Sequence, residues 1–310
     1  MSADSGTASA VGAGTPSAAG AGTPSAAGAA TPSAAGAATP PAAGAATSSP
    51  TPALLGGKVV VVCGIGRGLG RAIALQSARA GADVVLAART EGLSKEVAAE
   101  ITAMGRRALA VTTDVTDEEL AGGLPAAALE AFGRVDALVN NAFAIPPLTS
   151  LGEVDLDAVR DGFETDVFGA LRMTRLFTPA LAGSRGSVVM ISSAVLRHSR
   201  LPYGPYKMAK SALLGLAQSL ATELGPRGIR VNTVAPGYIW AGSLKWYFGE
   251  LAKQRGVSRQ QVYDETAATI DLRRLPEPDE VADAVVFLAS DMARAITGQC
   301  LDVNCGEFHH

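Results

Sequence analysis

The chain has 310 residues, a formal net charge of −3, 48% hydrophobic and 18% charged residues, and three cysteines. With no block of like charge and no apolar run of the roughly 18 residues that span a bilayer, neither nucleic acid nor a membrane is expected as a partner. Cys63, Cys300 and Cys305 are too scattered for a disulfide framework, which suits a reducing cytoplasm, and His198, His309 and His310 offer little to a metal site, so none is expected.

Residues 3 to 53 are almost wholly Ala, Gly, Ser, Thr and Pro, and Thr15, Thr23, Thr31, Thr39 and Thr47 mark an eight-residue repeat. Without large apolar side chains to offset the entropy of ordering, residues 1–53 are expected to form a disordered tail. It lacks the basic start and apolar core of a targeting signal. Residues 54–310 are then expected to fold as one domain.

Within that domain short apolar runs alternate with helical patterns: KVVVVC at 58–63, DVVLAA at 83–88, ALAVTT at 108–113, ALVNN at 137–141, SVVMIS at 187–192 and IRVNTVA at 229–235. Runs of this kind, buried on both faces and separated by helices, predict an α/β fold with a doubly wound parallel sheet. Ligands of such sheets bind beyond the carboxyl ends of the strands. The first run leads into CGIGRGLG at 63–70, where glycines let backbone approach a pyrophosphate and the following helix offers free amides. The spelling G-x-G-x-x-G does not fit this loop. After the second run, where an acid would bind the ribose diol of NAD, stand Ala87, Ala88 and Arg89. A guanidinium beside the vacant acid position suits the 2′-phosphate of NADP, and Arg67 adds a second basic group within the loop. NADP(H) is therefore expected over NAD(H).

Ser192 to Lys210 holds a serine pair, a polar loop, and tyrosines and lysines at interlocking spacings. Tyr206 and Lys210 stand four apart, so on a helix they share one face. A free tyrosine, with a pKa of about 10, is a poor base near neutrality, and a neighbouring lysine cation favours its phenolate. Tyr203 with Lys207, and Tyr203 with Lys210, are competing registers. Ser193 lies thirteen residues before Tyr206, whereas Met190 holds that place before Tyr203. With this serine, Tyr-x-x-x-Lys resembles the active site of the short-chain dehydrogenase/reductase family, while Tyr203 with Lys210 has the spacing of the related enoyl reductases.

The resemblance runs from about residue 56 to 306 and implies a three-layered, Rossmann-type α/β/α domain. It implies catalysis by Ser193, Tyr206 and Lys210. Gly64, Gly68 and Gly70, with Leu69 between the last two, match the family's glycine loop, with Cys63 at its threonine and Arg67 at a place where NADP-preferring relatives also carry a basic residue. Asp114 and Val115 resemble adenine contacts, Asn141 and Ala142 the family's Asn-Asn-Ala-Gly, and Pro236, Gly237 and Ile239 the turn beside the nicotinamide. Phe143 replaces a glycine, Ala241 a threonine, and Asp166 the helix asparagine that serves the catalytic lysine. Ionised and within reach of Lys210, Asp166 is expected to weaken that lysine's help to Tyr206. Leu213, Leu216, Leu220 and Leu224 form a helical stripe that is partly core. In this family the same helix commonly packs on its symmetry mate, which implies a homodimer or homotetramer.

Tyr238, Trp240, Trp246, Tyr247 and Phe248 crowd residues 238–270, which resemble the family's substrate lid. Rings here either cover an apolar or cyclic ketone, with Tyr203 and Trp240 as substrate contacts, or face inward on the rim. The final helix and strand, with Asn304 and Cys305, read as structural. The expected activity is reversible hydride transfer between NADP(H) and a small-molecule secondary alcohol or ketone. A 3-oxoacyl-carrier or enoyl reductase, and a nucleotide-binding protein without chemistry, are the alternatives.

Overall fold

The computed structural model describes residues 53–145 and 148–309; nearly all of the expected tail lies outside the described residues. Four strands, β1 (Val59–Cys63), β2 (Asp83–Ala88), β3 (Ala108–Thr112) and β4 (Ala137–Asn140), alternate with α1 (Leu69–Arg79), α2 (Glu91–Ala103), α3 (Glu118–Gly122) and α4 (Leu124–Phe132). Helix α5 (Leu156–Phe163) continues through a π-helical turn, Glu164–Gly169, into α6 (Ala170–Ser184). Then follow β5 (Ser187–Ile191), α7 (Gly204–Leu224), β6 (Arg230–Pro236), α8 (Gly242–Arg255), α9 (Arg259–Ala267), α10 (Pro278–Ala289) and β7 (Cys300–Val303).

The strands form one parallel sheet in the order β3-β2-β1-β4-β5-β6-β7. Alternation along the strands divides the core into two layers. Val60, Val62, Val84 and Leu86 pack under Ile73 of α1, Ile101 of α2 and Val285 of α10. Val59, Val61, Val188 and Met190 pack under Leu124 of α4, Phe177 of α6 and Leu213 of α7. Strand β3 departs from the expectation of burial on both faces: it lies at the sheet edge, where its residues are half-buried or exposed.

The chain order reverses between β1 and β4, so the connections that leave their carboxyl ends run apart and a cleft opens above them. A smaller apolar cluster packs α8 and α9 together through Phe248, Val262, Ile270 and Leu275, and the first turns of α8 line the cleft. Among the described residues no helix is long and apolar enough to cross a membrane.

Candidate active site

The turn between β1 and α1 requires its glycines. Gly64 has φ +99°, and a Cβ there would collide with the Ala142 backbone. A Cβ on Gly70 would collide with the Gly64 carbonyl and come within 2.9 Å of the Asn141 amide nitrogen. Asn141 Nδ2 donates to the Gly64 oxygen at 2.6 Å, locking the turn to the end of β4. No side chain caps the N-terminus of α1, which leaves its first amides for an anion. Burial pushes the Cys63 thiol up to about 12, so this residue fills the strand end as an apolar group.

Three adjoining cavities follow the strand ends. The first, 450 Å³, runs from Gly64 past Arg89 to Asp114 and Val115. Arg89 is exposed at its mouth. Burial opposes the Asp114 charge, but hydrogen bonds from Thr116 and the charges of Arg89 and Arg172 outweigh it and hold this carboxyl below its ordinary value. The second, 350 Å³, is lined by Arg67, Leu69, Ser193, Tyr206, Lys210 and the Pro236–Gly237 turn. A backbone cradle, a guanidinium and paired polar groups in line fit a dinucleotide. The half-exposed ring of Phe143 lines both cavities.

Ser193 lies two residues beyond β5 in extended conformation, and its hydroxyl accepts from the Val195 amide at 3.2 Å. Its neighbour Ser192 is buried, with its amide on Val234, so Ser193 is the serine of the pair that reaches both the second and third cavities. The loop beyond is pinned to β7 by Arg197, whose Nε lies 2.9 Å from Asp302. Helix α7 then presents Tyr206 and Lys210 from one face. Lys210 is 2% exposed; its Nζ donates to the Ile191 carbonyl at 3.2 Å and stands 5.7 Å from the Tyr206 ring centre. Asp166, on the π-helical turn, puts Oδ2 3.0 Å from that Nζ while Oδ1 accepts from the Ala144 amide at 2.7 Å. The Oδ2 contact lacks the geometry of an aligned hydrogen bond, so it is foremost a charge contact, and Asp166 is within reach of the lysine.

Of the competing registers, the one that pairs Tyr203 with Lys207 has its lysine engaged elsewhere. Lys207 donates to the His198 carbonyl at 2.6 Å and Ser199 Oγ at 2.8 Å. Burial, then a hydrogen bond to Tyr238, pushes Tyr203 up to about 12. Tyr203 nevertheless lines the third cavity, 410 Å³, with Ser193, Tyr206, Ile145, Tyr238 and Trp246. Trp240, expected at the substrate, turns away: its ring packs 4.6 Å from Tyr263 and 5.7 Å from Phe248. Both orientations of the lid rings therefore occur, with Trp240 and Phe248 inward and Trp246 and Tyr247 at the cavity. Sequence reasoning also passed over His198 and Glu307, which line this cavity from a loop and from the C-terminal segment. No local spacing marks them.

Residues 64–307 match the family model described as enoyl-(acyl carrier protein) reductase. A short-chain dehydrogenase/reductase of Aspergillus oryzae is 36% identical over 81% of this chain and 95% of its own length. An L-rhamnose 1-dehydrogenase (NAD(P)(+)) of a Sphingomonas species is 37% identical over 82% of this chain and 98% of its own. A solved structure of 7α-hydroxysteroid dehydrogenase complexed with NADH and 7-oxo glycochenodeoxycholic acid superposes with a TM-score of 0.73 at 30% identity, covering 81% of this chain and 94% of that one.

Proposed function

The chain belongs to the short-chain dehydrogenase/reductase family and is an NAD(P)-dependent oxidoreductase of alcohol and carbonyl groups; from that premise we propose an NADP(H)-preferring enzyme for a secondary alcohol or ketone, with Ser193, Tyr206 and Lys210 as its catalytic residues. The observation that carries this reading is the convergence of those three side chains on one cavity beside the glycine turn. Gly64, Arg67, Gly68, Leu69, Gly70, Asn141 and Ala142 would hold the cofactor's diphosphate side, Arg89, Asp114 and Val115 its adenosine end, and Pro236, Gly237 and Ile239 its nicotinamide end. Bound there, the nicotinamide supplies or accepts the hydride.

Ser193 Oγ donates to the carbonyl oxygen and fixes it within reach of Tyr206. Tyr206 gives its phenolic proton to that oxygen in reduction and takes it back in oxidation. Lys210 stabilises the phenolate through its charge, and Asp166 sets how much of that charge Tyr206 feels. Arg89 and Arg67, both exposed at the groove, support the choice of NADP(H), since the end of β2 carries no acid to pair with a free ribose diol. The aliphatic and aromatic walls of the third cavity favour a compact cyclic ketone or alcohol.

An enoyl reductase acting through Tyr203 is the second reading, favoured by the description of the matching family model. The placement of Lys210 Nζ 5.7 Å from the Tyr206 ring centre and the upward shift of Tyr203 weigh against it. Titration with NADPH and NADH, then turnover of a ketone panel, tests the proposal. Tight NADPH binding with ketone-dependent oxidation is expected; turnover of enoyl substrates alone contradicts it.

A further inference from the structure

Beyond β7 the chain does not trail into solvent. Cys305 and Gly306 take left-handed φ values of 56° and 83°, and the turn is closed by the Gly306 amide on Asn304 Oδ1 at 2.8 Å and by Asn304 Nδ2 on the Phe308 carbonyl at 3.1 Å. On one side the Leu272 amide donates to the Cys305 carbonyl at 3.0 Å and His309 meets Asp271 at 2.8 Å. On the other, the Phe308 ring lies 5.2 Å from the His198 ring centre and 5.2 Å from the Arg200 guanidinium. The segment is thus a strap, fixed both to the chain after α9 and to the loop between β5 and α7.

Glu307 sits in the middle of this strap and lines the third cavity. It is the one acid among the described residues that form the wall, and no lysine or arginine lines it. Among the described residues no cation comes within ion-pairing distance of its carboxylate. The carboxylate is close enough to the nicotinamide-side turn that a Cβ on Gly237 would stand 2.8 Å from Oε2. A half-buried carboxylate without a salt-bridge partner, which faces Ile145, Leu148 and Trp246 together with Ser193, Ser243, His198 and tyrosines, keeps acceptor capacity beyond the Tyr238 amide for a donor brought by the ligand.

Resting on the dehydrogenase reading above, we propose that Glu307 is a specificity-determining residue, its carboxylate accepting a hydrogen bond from a second hydroxyl that the substrate carries away from the reacting carbon. The substrate class is then a hydroxylated cyclic alcohol or ketone, rather than a plain hydrocarbon ketone. A carboxylate- or phosphate-tailed molecule would meet like charge at this wall. His198, Tyr238 and Tyr247 on the same wall can donate to or accept from the same hydroxyl.

The test compares wild type, Glu307→Gln and Glu307→Leu, each checked for native thermal unfolding, on cyclohexanol, 1,4-cyclohexanediol and 4-aminocyclohexanol. Turnover is read as kcat/KM, and binding to the NADPH-saturated protein is measured by calorimetry. A charged acceptor lost from a desolvated site corresponds to roughly a tenfold to hundredfold effect. Wild type is expected to prefer the diol over cyclohexanol by at least about tenfold, mainly through KM; Glu307→Leu is expected to lose that ratio and Glu307→Gln to keep part of it. Preference for the amine above the diol overturns the hydroxyl assignment. A ratio shared by wild type and Glu307→Leu overturns the role of Glu307 while leaving the dehydrogenase intact. Diol binding that depends on Glu307 without turnover of any alcohol supports the inference and contradicts the dehydrogenase reading instead.

Discussion

Lys210 Nζ and Asp166 Oδ2 stand 3.0 Å apart with both side chains closed off from solvent. The carboxylate competes with Tyr206 for the lysine's field, because it neutralises part of the charge that would favour the phenolate. Asp166→Asn preserves an acceptor for the Ala144 amide but removes the negative charge. The variant is expected to remain active, and the rising limb of alcohol oxidation, which requires deprotonated Tyr206, is expected to move to lower pH. A limb that does not move contradicts the electrostatic role of Asp166. Asp166→Leu leaves a buried ammonium uncompensated and is expected to lose about 3–5 kcal/mol of stability in denaturant unfolding, with the Asn variant losing less.

Arg89 stands exposed at the end of β2 beside Asp114, with no acid at the strand terminus. Arg89→Ala is expected to weaken NADPH binding roughly tenfold to a hundredfold, the worth of charge-assisted hydrogen bonds to a phosphate, and to leave NADH nearly unaffected. Fluorescence titration of both cofactors reads this directly. Equal losses for the two would mean that the guanidinium does not reach the 2′ position.

Burial pushes the Glu307 carboxyl up, and the Arg200 charge and the Tyr238 amide offset only part of that rise. The accepting carboxylate therefore exists only above this raised value. Preference for the diol over cyclohexanol is expected to fall as pH drops through it, before ordinary carboxyls protonate. The other titratable groups that line its cavity are His198, Tyr203, Tyr206, Tyr238 and Tyr247; Tyr206 acts alike on the diol and on cyclohexanol, so it cancels from their ratio. Burial and the charges of Arg200 and Lys207 hold His198 below its usual value, so it stays neutral near neutrality and does not produce the same trend there. A raised folded value also means that the ionised group disfavours the fold. Glu307→Gln is expected to be slightly more stable than wild type near neutrality, with the gain vanishing in acid where the carboxyl is protonated in folded and unfolded states alike. A preference that is flat with pH contradicts the acceptor role.

What could be read before the fold was known follows from the range of the interactions. The strands announce themselves as apolar runs, and Ser193, Tyr206 and Lys210 are brought together by one strand end, one loop and one helical turn, so their spacing carries the geometry. The glycine loop is legible for the same reason, since Gly64 and Gly70 answer to backbone packing within one β-turn-α unit. Trp240 and Glu307 answer to long-range packing instead. The direction of the Trp240 ring is set by Tyr263 and Phe248 across two helices, and Glu307 is held at the cavity by a strap whose Phe308 packs on His198 and Arg200, more than a hundred residues away in sequence. No periodicity encodes either contact. Likewise β3 has the composition of a buried strand, and only its place at the end of the strand order leaves it half-covered.

The most direct test of the account is the rate of NADPH oxidation with a cyclic ketone in wild type, Tyr206→Phe and Tyr203→Phe. Each variant keeps its ring and loses only a hydroxyl, so packing changes little. Loss of the proton donor is expected to lower kcat by about a hundredfold to ten-thousandfold in Tyr206→Phe with NADPH affinity retained, while Tyr203→Phe shifts chiefly KM. The reverse pattern, with Tyr206→Phe near wild type and Tyr203→Phe inactive, would contradict the assignment of Tyr206 as the acid and point to enoyl reduction.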